Sequence, residues 1–265
     1  TNEEAVEALE RCMVKKEFGD EGTTVLVEER LVGQEVSILA LVDGRNLFLL
    51  DPSQDHKQAQ EGDTGPNTGG MGVYCPTPLL TDDLLTQIQT EVLVPAGDAM
   101  RRDGIEFKGV LYAGLMLTAG GPKTLEFNTR FGDPETQPLM MRQRGDLMQA
   151  KLATATGTLD EVDLSWDKRV CCCVVMASGG YPGDYEKGKP ITGIDDAEAD
   201  PDVTVFHAGT KLTRDNVLVT DGGRVLAVCA LADTLKEAQA KANVACDKIK
   251  FEGAQFRRDI GFRVM

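Results

Sequence analysis

The chain has 265 residues, 42% hydrophobic and 27% charged, the composition of a soluble globular protein with room for one large domain or two ordinary ones. Its 43 Asp and Glu against 28 Lys and Arg give a formal net charge of −15, which argues against nucleic-acid binding and leaves anionic ligands to locally placed Lys and Arg. No apolar run nears the roughly 18 residues of a membrane helix, and the opening TNEEAVEALERC lacks the basic-then-apolar order of a signal peptide, so no membrane partner is expected.

Asn2 to Met13 has the apolar spacing of a short amphipathic helix. TTVLVEERLVGQEVSILALVDG then reads as two strands around a connector, with Glu28, Glu29 and Glu35 as its notable polar residues. A strand ending at Asp51 leads into SQDHK. His56, one of only two histidines, reads as structural, whereas Asp55 and Lys57 could serve an amine and an anion respectively. GDTGPNTGGMG, residues 62 to 72, has five glycines in 11 residues, which lets backbone N–H groups approach a ligand closely. It lacks the Lys-Ser/Thr ending of a P-loop.

Thr81 is an N-cap candidate for the helix TDDLLTQIQTEVLVPAGDAMRRDG. GVLYAGLMLTA and KTLEFNTR, joined by a Gly-Gly-Pro turn, predict a hairpin. In the second strand, apolar Leu125 and Phe127 alternate with Glu126 and Asn128, so Glu126, Asn128 and Arg130 should share a face. A carboxylate and an amide oxygen so spaced suit a hard cation, and an adjacent arginine suits developing negative charge. Pro138 leads into a further helix.

The polar stretch TGTLDEVDLSWDK marks a boundary, giving domains at 1–167 and 168–265, with Trp166 expected to pack between them. The second part predicts short strands (VCCCVVMAS, VTVFHAG, VLVTD, RVLAVCALA) and one helix, TLKEAQAKANVACDKIK. Cys171, Cys172 and Cys173 alternate faces, so they cannot converge on one metal and read as core. Seven cysteines without a CxxC pair fit reduced thiols and a cytoplasmic location.

Glu126-x-Asn128-x-Arg130 resembles the metal-binding signature of the ATP-grasp ligases. NTRFGDPETQP, with SQDHK, DTGPNTGGMG, GVLYAGLM, GGYPGDY, FHAGTKL and RRDIGFR in the same order, resembles the phosphoribosylamine–glycine ligases (glycinamide ribonucleotide synthetases) over nearly the whole chain. The resemblance implies an α+β fold: the C-terminal portion of an ATP-grasp domain, then a small, mostly-β C-terminal domain. It implies ATP with Mg²⁺ or Mn²⁺, glycine and 5-phosphoribosylamine as substrates, and glycyl phosphate as intermediate in purine biosynthesis. Glu126 and Asn128 would hold the metal. Glu28, Glu29 and Leu31 would border the adenine, Glu35 would bind the ribose, and Arg130, Asp55 and Lys57 would serve catalysis. Position 30 is Arg where an aromatic is expected. The family's N-terminal domain and first half of the ATP-grasp lid are not found before Thr1, so these residues alone are expected to be inactive. The alternatives are another ATP-grasp enzyme, such as a carboxylate–amine ligase or a biotin-dependent carboxylase subunit, or a nucleotide-binding fragment without turnover.

Overall fold

Residues 1–32 and 33–265 of the computed structural model, which describes the whole chain, form separate units. In the first, α1 (Asn2–Leu9) starts from a capping box in which the Thr1 hydroxyl accepts from Glu4 N at 3.3 Å. Turns at Glu10–Val14 and Gly19–Thr23 follow, the first clipped by the Arg11–Glu17 ion pair at 2.6 Å. The strand expected from TTVLVEER does not form. Extended backbone needs a pairing edge, this unit contains none, and Leu26, Val27 and Val32 remain exposed.

The second unit begins with β1 (Gln34–Asp43) and β2 (Leu47–Leu49), then β3 (Gln54–Asp55), the hairpin β4 (Gln58–Gln60) and β5 (Thr64–Asn67), and β6 (Gly72–Cys75). Helices α2 (Asp82–Ile88) and α3 (Val94–Arg102) precede the long hairpin β7 (Lys108–Thr118) and β8 (Gly121–Asn128). Next come α4 (Thr136–Arg142), β9 (Gln143–Arg144), α5 (Leu147–Thr156), β10 (Ser165–Trp166) and β11 (Val170–Ala177). The chain ends with α6 (Ile194–Ala197), β12 (Val203–His207), β13 (Thr210–Leu212), β14 (Leu218–Thr220), β15 (Arg224–Ala232) and α7 (Leu235–Lys248). Thr81 does cap α2, accepting from Leu84 N, and Thr234 caps α7 in the same way through Glu237 N.

Two antiparallel sheets organise this unit: a four-stranded one in the order β2-β1-β7-β8 and a five-stranded one in the order β12-β15-β11-β6-β3. Both are covered on two faces, and the period of two along each strand sorts side chains between them. From β1, Val36, Ile38, Ala40 and Val42 meet Ile88 and Leu93 of the α2–α3 segment, while Leu39 and Leu41 meet Leu139 of α4 and Ala150 of α5. From β11, Cys172, Val174 and Met176 meet Ala238, Ala242 and Ala245 of α7, while Cys171 and Cys173 pack with Cys229 on the α4 side. The Cys triplet is thus core on two faces, as its alternation requires.

The expected boundary at 167/168 lies between β10 and β11, and the five-stranded sheet takes β3 and β6 from one side of it and β11, β12 and β15 from the other. Buried Arg142 ties the two stretches together, pairing with Asp51 and donating to the Asp167 and Arg169 carbonyls at 2.8 and 2.7 Å. Trp166 packs half-buried against the Leu39–Leu164 cluster, not between the two parts. In β10 it pairs with Gln143 of β9.

Candidate active site

Register fixes where the polar groups emerge. Antiparallel pairing puts Glu35 opposite Met116 and Asn128 opposite Tyr112, so β7 lies between the two candidate strands. A bulge between Gly114 and Leu115 sets Leu125 out of step in β8. Beyond it Glu126 and Asn128 share a face, and the Asn128 amide donates to Glu126 Oε1 at 3.2 Å. Phe127, expected to be buried, is 45% exposed because β8 is the sheet edge. The strand ends at Asn128, so Arg130 lies beyond the shared face expected for it; it is exposed, donates to the Phe131 carbonyl at 2.9 Å, and pairs with no carboxylate.

Three predicted residues do converge. Glu35, Asp55 and Lys57 line one pocket of about 440 Å³, together with Asp63, Asn67, Phe262 and Arg263. Lys57 Nζ stands 3.2 Å from Glu35 Oε2. Burial alone would lower the Lys57 pKa, but the carboxylates of Glu35 and Asp55, and more weakly that of Glu126, hold it above its ordinary value. A larger hollow of about 840 Å³ opens at the other end of β1, around Asp43 and Lys108, and contains none of the predicted residues.

Asp55 is the electrostatic centre. Its side chain is buried and Oδ1 has no hydrogen-bond partner. Burial, and then repulsion from Glu135, raise its pKa well above the carboxylate range, against the opposing charges of Lys57 and Arg224. Gly70 closes over it: with φ at +114°, a Cβ there would lie 2.7 Å from Asp55 Oδ1 and 2.5 Å from Pro134 Cδ. The glycine loop therefore packs its backbone against a carboxylate.

Sequence reasoning missed the groups behind this wall. Buried Glu135 accepts from Ser37 Oγ and Tyr112 OH, each at 3.0 Å. Its only signal was a glutamate in the GDPE turn. Buried Arg257 pairs with Asp63 and Asp259 at 3.0 and 2.8 Å, and Arg263 also holds Asp63 and donates to the Asp55 carbonyl at 3.3 Å, so RRDIGFR packs beside SQDHK. His56, as expected, is structural: its Nε2 accepts from Gly261 N at 3.0 Å. Glu28, Glu29 and Leu31 belong to the first unit, in its closing extended stretch, where both glutamates are exposed.

Two paired oxygen donors on a strand edge fit a hard divalent cation, since turning the Asn128 amide would present Oδ1 beside Glu126. The fold is α+β and of the ATP-grasp class. The model of the phosphoribosylglycinamide synthetase ATP-grasp (A) domain matches residues 1–136, and that of the same synthetase's C domain matches 171–263. Phosphoribosylamine–glycine ligases from Rhodopirellula baltica and Yersinia pestis are 52% and 47% identical over the full chain, which covers 61% and 62% of their lengths. A crystal structure of phosphoribosylamine–glycine ligase from Thermotoga maritima is similar at 34% identity and a TM-score of 0.85, over 98% of this chain and 64% of that one. The chain belongs to the phosphoribosylglycinamide synthetase family. It spans about three fifths of the length of these relatives. No helix is long and apolar enough to cross a membrane.

Proposed function

We propose that these residues form the catalytic portion of an ATP-dependent ligase of purine biosynthesis that joins glycine to 5-phosphoribosylamine. The observation that carries this reading is the convergence of Glu35, Lys57 and Asp55 in one pocket, on a family fold. A glycine carboxylate resists amine attack because its leaving group would be oxide. Moving the γ-phosphoryl of ATP to a carboxylate oxygen, with ADP leaving, gives glycyl phosphate. The phosphoribosylamine nitrogen then forms the amide bond, phosphate departs, and the nitrogen loses a proton.

In this reading Glu35 accepts from the ribose hydroxyls, and Glu28, Glu29 and Leu31 border the adenine. Lys57 draws anionic oxygens into a pocket that also holds the carboxylates of Glu35, Asp55 and Asp63. Asp55, which lines the same pocket, accepts from an amine. Glu126 and Asn128 hold Mg²⁺ or Mn²⁺, which would neutralise phosphate charge, and Arg130 supports the same charge after a turn of its side chain. The division at 167/168 is proposed to separate ATP-grasp from C-terminal domain, in line with family matches that end at 136 and resume at 171. Seven unpaired thiols favour the cytoplasm.

The test is ADP release by the intact enzyme, with product mass measured. Release that requires both glycine and fresh phosphoribosylamine, and a product of glycinamide ribonucleotide mass, is expected. Release that ignores glycine, or needs bicarbonate instead, would overturn the reading.

A further inference from the structure

GGYPGDY and the Asp221-Gly222-Gly223-Arg224 turn have no part in the chemistry above, yet both reach the glycine loop. Tyr181 OH accepts from Gly69 N at 3.0 Å. Arg224 Nη1 donates to the Gly69 carbonyl at 2.7 Å and the Asp133 carbonyl at 2.8 Å, with the Gly70 carbonyl at 3.4 Å. Its Nη2 lies 3.2 Å from Asp133 Oδ2. Both backbone polar groups of Gly69 are therefore held by side chains from the C-terminal part of the chain.

The sequence is shaped around these contacts. A Cβ at Gly69 would sit 3.0 Å from Arg224 Cζ, and one at Gly223 would sit 2.3 Å from the Tyr181 ring. Gln255 fixes Tyr181 from behind by donating to its carbonyl at 2.8 Å. On the other side, the loop is laced to the site strand: Thr68 N donates to the Lys57 carbonyl at 2.7 Å and Met71 N to the His56 carbonyl at 2.8 Å. Between those two bonds, Gly70 lies on the Asp55 carboxylate and Pro134.

We propose that Tyr181 and Arg224 are positioning residues for the amine-transfer half of the reaction: they clamp Gly69–Gly70 between Asp55 and the Asp133–Pro134 turn, and so fix Asp55 and Lys57. The proposal rests on the function assigned above. Neither residue touches the bound substrates in this scheme. Glu35 is held separately, by the full-length pairing of β1 with β7, so nucleotide binding does not depend on the clamp.

The experiment compares Tyr181→Phe, Arg224→Lys and the wild type in the intact enzyme. Wild-type product formation is measured first, so that failure of the assigned function appears there. Amide hydrogen exchange at Gly69–Met71 then tests the clamp whatever the substrate. Tyr181→Phe loses one neutral hydrogen bond, which corresponds to roughly 2- to 10-fold, and Arg224→Lys loses the fork that spans Gly69 and Asp133, roughly 10- to 100-fold. These factors are expected as faster exchange in the loop and as lower kcat or higher KM for the amine substrate, with KM for ATP within twofold of wild type. Arg224→Lys keeps the charge, so a loss there reports geometry. Unchanged exchange in both variants overturns the clamp. Faster exchange with unchanged kinetics, or an equal rise in the KM for ATP, overturns the positioning role. If Arg224→Lys fails to fold, Tyr181→Phe decides alone, since it removes one oxygen atom and keeps the ring.

Discussion

Lys57 Nζ lies 3.2 Å from Glu35 Oε2, joining the residue read as the ribose acceptor to the cation read as the anion receiver. Each is about one-third exposed, so the pair adds little to stability, on the order of 0–1 kcal/mol. Its consequence is orientation. Glu35 enters the pocket from β1, which pairing with β7 holds, and Lys57 from the connector after β3, so the contact aims the Lys57 ammonium at a carboxylate already fixed in place. Glu35→Ala is expected to raise the KM for ATP about 10-fold or more, the scale of a charged hydrogen bond, and that for glycine far less. Steady-state kinetics with each substrate varied checks this. Equal effects on both would remove Glu35 from the nucleotide site.

Glu126→Gln tests the metal assignment. Glu126 is exposed on the edge strand, so the ligand-free melting temperature should not move. Turnover should fall by roughly 10² or more, because a preorganised charge at the phosphoryl group is lost. The upward melting shift caused by Mg²⁺ with nucleotide should shrink as well. A variant with wild-type turnover and the same Mg²⁺ dependence would remove Glu126 as a ligand.

The strands and helices that alternate or cap clearly were legible. β1, β7, β11 and β15 form from apolar runs bounded by turn residues, and Thr81 caps as its position suggests. Glu35, Asp55 and Lys57 stood out in the sequence as polar candidates, and the fold brings them into one pocket. What sequence could not give was long-range pairing. TTVLVEER has strand composition, but a strand needs an edge, and none faces it within its unit. Phe127 alternates correctly, but on the edge strand its side chain joins neither core cluster of the sheet and stays exposed. Glu135 and Arg224 look like turn and surface residues until the Asp133–Pro134 turn and β15 bring their charges within reach of Asp55.

Asp55→Asn should separate stability from function. Burial and the Glu135 charge raise the Asp55 pKa in the folded state above its unfolded value. Its contribution to stability is therefore fully present below the unfolded pKa of about 3.9 and is lost as pH rises through the folded pKa. At neutral pH burying this carboxyl therefore costs stability. Asparagine keeps the shape and cannot ionise, so the variant is expected to be more stable than the wild type at pH 7.5, with the gap closing towards pH 4. Turnover should drop, because the amine meets an amide where the carboxyl group stood. Urea midpoints at the two pH values and a rate assay check both halves. A variant that is less stable at pH 7.5 would show that the carboxylate is paired in a way this arrangement lacks.

His56 should make the fold acid-sensitive. Its ring is fully buried, between Tyr74 and Phe262, and Nε2 accepts from Gly261 N at 3.0 Å. Burial first, and then the guanidinium groups of Arg263 and Arg257, push its pKa down to about 3, against weaker opposing pulls from Asp63 and Asp259. The neutral ring is thus the folded form, whereas the unfolded chain takes up a proton near pH 6.5. The contribution is present above pH 6.5 and is lost progressively as pH falls from 6.5 towards 3. At about 1.36 kcal/mol per unit, roughly 2 kcal/mol is gone by pH 5. Protonation also removes the acceptor that fastens Gly261, so the terminal RRDIGFR segment should loosen first. His56→Gln offers an acceptor for Gly261 N that does not titrate. Urea unfolding from pH 7.5 to 4.5 should show a wild-type stability that falls more steeply than that of His56→Gln, by close to one proton, while carboxylate effects common to both cancel. Parallel curves would mean that the ring titrates alike in the folded and unfolded chain, and that its burial beside two arginines does not hold it neutral.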